Sequence, residues 1–114
     1  MNKLAIRIGT ALAILAAPLP ALAESIHAVL YKNPQCSCCE SYAAYLEQNG
    51  FKVDIKPTND LTEISSKAGV PAGLEGCHTM FVEGYVVDGL VPVDVIQKLL
   101  KEKPAIAGIT RRLL

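Results

Sequence analysis

Cys36-Ser37-Cys38-Cys39 places three of the chain's four cysteines within four residues, directly after Asn33-Pro34-Gln35. The fourth, Cys77, follows about forty positions later, beside His78. Thiolates and an imidazole from two such segments make a donor set for a soft metal ion. Cys36 and Cys39 also carry the C-x-x-C spacing of a dithiol exchanger. Either chemistry requires the rest of the chain to bring the two segments together.

The intervening pattern is that of a small α/β domain. Ile26 to Tyr31 is a β-rich run with few charges, bounded by Asn33-Pro34, and reads as a buried strand. Cys39 to Asn49 reads as a helix, with Tyr42, Ala43, Tyr45 and Leu46 along one apolar side and Gly50 as its stop. Phe51 to Ile55 alternates apolar and polar as a second strand, closed by Pro57. Asp60 with Glu63 forms a candidate capping box for a second helix through Lys67, ended by Gly69. Thr79 to Val82 and Tyr85 to Val87 flank Glu83-Gly84 as a tight hairpin. Pro92 opens a last helix to about Lys101, with Val95, Ile96, Leu99 and Leu100 inward. The order β-α-β-α-β-β-α, with a right-handed crossover between the first two strands, is the thioredoxin arrangement. The expected fold is therefore α/β and thioredoxin-like, one domain over residues 24–103, with residues 104–114 as a loosely packed tail.

On that topology the C-x-x-C lies where the first loop meets a helix N-terminus. Unpaired N–H groups and the positive end of the helix dipole stabilise a thiolate there, lowering a cysteine pKa from about 8.5 into the ~3.5–7.5 range. Cys77-His78-Thr79 precedes the third strand and faces the same edge, with His78 near the place of a cis-proline. Several thiolates and one imidazole thus converge on one rim.

Structural disulfides are the competing reading of four cysteines, with three possible connectivities. Adjacent Cys38 and Cys39 could bridge only under severe strain. Pairing Cys36 with Cys39 would leave Cys38 free to reach Cys77, but bridges clustered at one edge staple little of the chain. Clustered thiolates suit Cu(I), zinc or iron–sulfur centres. A closed zinc site usually has two separated C-x-x-C pairs, whereas three cysteines crowding one turn favour low-coordinate Cu(I), with zinc the alternative. His78 is a candidate ligand or proton donor because it neighbours Cys77. His27 reads as a partly buried strand histidine, Met80 as core, and Tyr42 and Tyr45 as helix-face packing.

The N-terminus sets the compartment. Lys3 and Arg7 precede a short apolar run containing Leu12, Ile14 and Leu15, broken by Pro18 and Pro20. Ala21-Leu22-Ala23 then supplies a small-x-small cleavage site, the layout of a secretory signal peptide over residues 1–23. The run is about half the ~20 residues that a membrane span needs, and no cysteine follows it for lipidation. Cleavage removes two of the 11 basic residues and none of the 11 acidic ones, leaving a net charge of about −2. That argues against a nucleic-acid binder, which would need a basic face. A chain of this length buries only about 60–65% of its unfolded surface, enough for one modest core.

Lys32-Asn33-Pro34-Gln35-Cys36-Ser37-Cys38-Cys39, Gly69-Val70-Pro71, Cys77-His78-Thr79 and Gly84-Tyr85-Val86-Val87-Asp88-Gly89 resemble the small periplasmic metal-binding proteins of the copper-resistance CopG type. The likeness runs from about Ile26 to Pro104. It implies a thioredoxin-like fold, a periplasmic location and copper held by Cys36, Cys38, Cys39 and Cys77, with His78 adjacent. It also implies a role in copper tolerance beside other periplasmic copper-handling proteins, through sequestration or a change in copper's redox state. Two features depart from the family. Leu90 stands in Gly89-Leu90-Val91-Pro92 where the family commonly has histidine, and the end of this chain lacks the frequent Gly/Pro/Met-rich tail.

Three functions compete on these residues: a periplasmic Cu(I)-binding protein, a thiol–disulfide oxidoreductase using Cys36 and Cys39, and a disulfide-stapled binding module. The surplus thiols of Cys38 and Cys77 favour the first, because a dithiol exchanger needs only two sulfurs.

Overall fold

A computed structural model describes residues 24–110 and the single position Gly9. The candidate signal peptide lies outside the described residues apart from that glycine. Eight elements follow in order: β1 (Ile26–Lys32), α1 (Cys38–Glu47), β2 (Phe51–Pro57), α2 (Leu61–Lys67), β3 (His78–Val82), β4 (Tyr85–Asp88), α3 (Val93–Glu102) and β5 (Gly108–Thr110). They form a mixed α/β domain with one five-stranded sheet, ordered β2-β1-β3-β4-β5. β1 pairs parallel with β2 across α1, and β3 runs antiparallel to both β1 and β4. The element order matches the sequence expectation as far as α3.

The strand period places the core on one face of the sheet. Ala28 and Leu30 of β1 are buried and alternate with half-buried Val29 and Tyr31. Leu30 lies opposite Met80, and Met80 opposite Val87, all fully enclosed. Tyr42, Ala43 and Leu46 of α1 and Ile96, Leu99 and Leu100 of α3 close over that face. α2 contributes only Ser65 to the interior, and Ser65 meets Thr79 on the opposite face. Glu83 (φ 45°) and Gly84 (φ 83°) both take left-handed conformations, the requirement of a type I′ hairpin turn.

Several expectations are corrected. Tyr45 is 37% exposed and Val95 43% exposed, at the margins of their helices' apolar stripes. The Tyr45 hydroxyl instead accepts the Val93 N–H at 3.0 Å, satisfying one of the unpaired donors at the start of α3. His27 is exposed, because its strand position points away from the Ala28 and Leu30 face. The capping box does not form: the Asp60 side chain caps nothing, and Glu63 pairs with Lys67 at 2.8 Å.

The segment expected as a loose tail contains β5, which pairs parallel with β4. Gly108 makes this possible, since the backbone of Val86 occupies the space a Cβ would need. β5 thereby covers the hydrogen-bonding edge of β4 that would otherwise face solvent. Among the described residues, no helix is long and apolar enough to cross a membrane.

Candidate metal centre

The first loop is short and held at both ends. The Cys36 N–H donates to Asn33 O at 3.0 Å, the Gln35 N–H donates to Asn33 Oδ1 at 3.1 Å, and α1 begins at Cys38. At its base Lys32 is only 3% exposed, and its Nζ lies 3.1 Å from Glu40 Oε1 in the first turn of α1. Asn33 N–H also donates to Cys77 O at 3.1 Å, so backbone hydrogen bonding joins the two cysteine segments. The β1–β3 register completes that junction by setting Lys32 opposite His78.

The sulfurs of Cys36, Cys38 and Cys39 all lie within 4.8 Å of one another. Cys36 Sγ is 3.0 Å from Cys38 Sγ and 2.6 Å from Cys39 Sγ. The three differ in exposure: Cys38 is open, Cys36 half-buried and Cys39 buried, so the triad runs from solvent into the core. All four cysteines are free thiols. Cys77 is exposed on the neighbouring segment; neither it nor His78 joins the triad at that spacing.

His78 closes the inner end. Its ring is 1% exposed and stacks on Tyr42, with centroids 4.9 Å apart. Nε2 lies 2.8 Å from Gly89 O, and Nδ1 lies 3.4 Å from Cys39 Sγ. A carbonyl only accepts, so Nε2 carries the proton and the Nδ1 lone pair faces the sulfur. Burial lowers the His78 pKa against the opposing pull of the Gly89 carbonyl and the Asp88 carboxylate, keeping the imidazole neutral. A histidine whose far ring N–H is fixed by a carbonyl is oriented as a metal ligand is.

The thiols are unequal. Burial opposes the Cys36 thiolate, but hydrogen bonds from the Cys39 and Cys38 thiols and the Cys39 backbone outweigh it and lower its pKa. Burial and then the Cys36 sulfur push the Cys39 pKa up. Cys38 and Cys77 are each raised first by hydrogen bonding with Cys36. Of the four thiols, Cys36 is therefore the one whose ionisation the site favours, with its neighbours as proton donors.

Sequence reasoning missed three supporting groups. Tyr42 packs on the helix face as expected, but its hydroxyl also donates to Val91 O at 2.6 Å, tying α1 to the loop before α3. Lys32 and Glu40 pair across eight positions. Asp88 is fully buried and accepts from Gly76 N–H and Thr79 Oγ1, each at 2.7 Å. A lone carboxylate after two valines in an otherwise apolar strand was the one available signal for Asp88. Leu90 and Val91 line a surface groove beside Cys38, so Leu90 presents an apolar side chain there.

The family model described as "Protein of unknown function, DUF411" matches residues 74–111, which include Cys77, His78 and Asp88. No curated protein matches the chain. Two solved structures, forms 2 and 1 of a copper resistance protein copG, are each 34% identical to it with a TM-score of 0.69. Each alignment covers 75% of this chain, and 68% and 67% of the respective copG chains. With this identity over most of both chains, the protein belongs to the CopG copper-resistance family.

Proposed function

We propose that the protein binds Cu(I) as cargo through thiolates of Cys36, Cys38 and Cys39, with Cys77 and the Nδ1 atom of His78 completing the site. The carrying observation is the approach of three sulfurs within 4.8 Å at an accessible loop–helix junction. Soft thiolates so close together suit a soft, low-coordinate monovalent ion, and bridging sulfurs can hold more than one. Zinc is the alternative occupant, since Cys77 or His78 could raise the donor count to four. The neutral imidazole and its fixed Nε2–H favour His78 as a donor over an ion pair partner.

The reading extends to location: export by a signal peptide over residues 1–23, cleavage after Ala23, and copper tolerance in the periplasm on a thioredoxin-type scaffold over residues 24–103. Partners would be metal ions and other periplasmic copper-handling proteins, with no nucleic acid and no membrane after cleavage. The test is an anaerobic titration of the reduced protein with Cu(I), and separately with Zn(II). Cys36→Ser, Cys38→Ser and Cys77→Ser are titrated in parallel. Cu(I) bound with loss of stoichiometry or affinity in each variant supports the reading. Variants that bind as the parent does refute it.

A second reading has its own observation. Cys39 Sγ lies 2.6 Å from Cys36 Sγ, and the Cys36 pKa is lowered, the arrangement of an attacking thiolate with a resolving thiol. Thiol–disulfide exchange would then be lost in Cys36→Ser while Cys38→Ser and Cys77→Ser retain it.

A further inference from the structure

Asp88 is a fully buried carboxylate whose two oxygens hold two donors on one neighbouring segment. Oδ1 accepts the Gly76 N–H and Oδ2 accepts the Thr79 hydroxyl, both at 2.7 Å. Gly76 immediately precedes Cys77, and Thr79 immediately follows His78. The carboxylate therefore grips the segment on either side of both residues. Its grip is braced, because Thr79 Oγ1 also lies 2.6 Å from Ser65 Oγ in α2. Thr79 and Asp88 face each other in the β3–β4 register, on the face opposite the one His78 shares with Leu30 and Met80. Short hydrogen bonds to an ionised acceptor are about twice as strong as neutral ones, and the buried setting excludes competing water. Gly76 fits because it lacks a Cβ, which would stand 2.9 Å from Asp88 Oδ1 and 3.2 Å from Gly89 Cα.

We propose that Asp88 is a positioning residue of the metal centre: by clamping Gly76 and Thr79 it fixes Cys77 and His78 against the Cys36–Cys39 turn. This rests on the reading of Cys77 and His78 as donors, but the clamp itself is independent of metal. In this role Asp88 is not a donor to the metal; it acts through the Gly76 N–H and the Thr79 hydroxyl that it holds.

The clamp is broken from its two sides by Asp88→Ala, which removes both acceptors, and by Gly76→Ala, which leaves the carboxylate intact and crowds it. In reduced, copper-free protein the alkylation rate of Cys77 is measured against that of exposed Cys38. Each variant should raise the Cys77 to Cys38 ratio severalfold. In anaerobic competition with a chromophoric chelator, each should weaken Cu(I) binding by about tenfold or more. That loss should vanish in a background carrying Cys77→Ser and His78→Phe, which a merely structural role would not produce. An unchanged alkylation ratio in both variants overturns the clamp, as does a copper loss that persists undiminished in the donor-free background. If Cys77→Ser and His78→Phe bind Cu(I) as tightly as the parent, the donor reading fails instead, and the alkylation ratio still decides the role of Asp88.

Discussion

Cys39 and His78, thirty-nine positions apart in the chain, face each other in the interior with Sγ 3.4 Å from Nδ1. The contact joins the start of α1 to the start of β3, and the Gly89 carbonyl dictates which ring nitrogen is left bare. Nitrogen NMR of the reduced, copper-free protein should show His78 protonated at Nε2 and unprotonated at Nδ1 near neutral pH. His78→Phe, which retains a ring to stack on Tyr42, should lower Cu(I) affinity by about tenfold or more in chelator competition. Unaltered affinity would place His78 outside the donor set.

Thiol reactivity should follow the charge distribution. Cys36, half-buried with its thiolate stabilised by its neighbours, should be alkylated first, and buried Cys39 last. Timed alkylation with peptide mass analysis reads the order directly. Cys39 reacting ahead of Cys36 would contradict the assignment of charge.

The Tyr42 hydroxyl is pushed up to about 12, first by burial and then by nearby Tyr45, despite the hydrogen bond to Val91. A folded pKa above the unfolded value of about 10 means that the folded state holds this proton more tightly. Its contribution to stability should therefore be complete below pH 10 and decline as pH rises from about 10 towards 12. Ultraviolet titration of the metal-free protein should show one late tyrosine, absent in Tyr42→Phe. That substitution should cost about 1 kcal/mol in urea unfolding through the lost hydrogen bond.

Leu46 of α1 and Leu30 of β1 are completely enclosed between helix and sheet. Leu46→Ala or Leu30→Ala should each destabilise the fold by about 2–5 kcal/mol, through lost transfer energy and the cavity left behind. Chemical denaturation measures it. A loss below about 1 kcal/mol would mean that the site collapses to fill the gap.

What could be read directly from the chain was whatever repeats locally. The period of two in β2, the Pro and Gly stops and the crowding of Cys36, Cys38 and Cys39 all carry their meaning within a few residues. Contacts between distant residues were hidden. Asp88 has no partner nearby in sequence; its donors, Gly76 and Thr79, become neighbours only when β3 and β4 pair. β5 is three residues long, too short to show a period, and depends on a single missing Cβ at Gly108. His27 was misjudged because a one-position change of face separates an enclosed strand residue from an open one. The Asp60–Glu63 signature yielded no capping box: the Asp60 side chain caps nothing, and Glu63 pairs with Lys67 instead.

The Lys32–Glu40 bridge spans the cysteine loop as a drawstring does the neck of a bag. With its mouth tied, the loop has little slack with which to wander before an ion arrives or to stretch around a large one. A loop tied in this way leaves capture of an ion less conformational freedom to remove. Cutting the string with Lys32→Met should leave the donors chemically intact yet slow Cu(I) uptake in anaerobic stopped-flow, and an unchanged uptake rate would show that the bridge does not tie the loop.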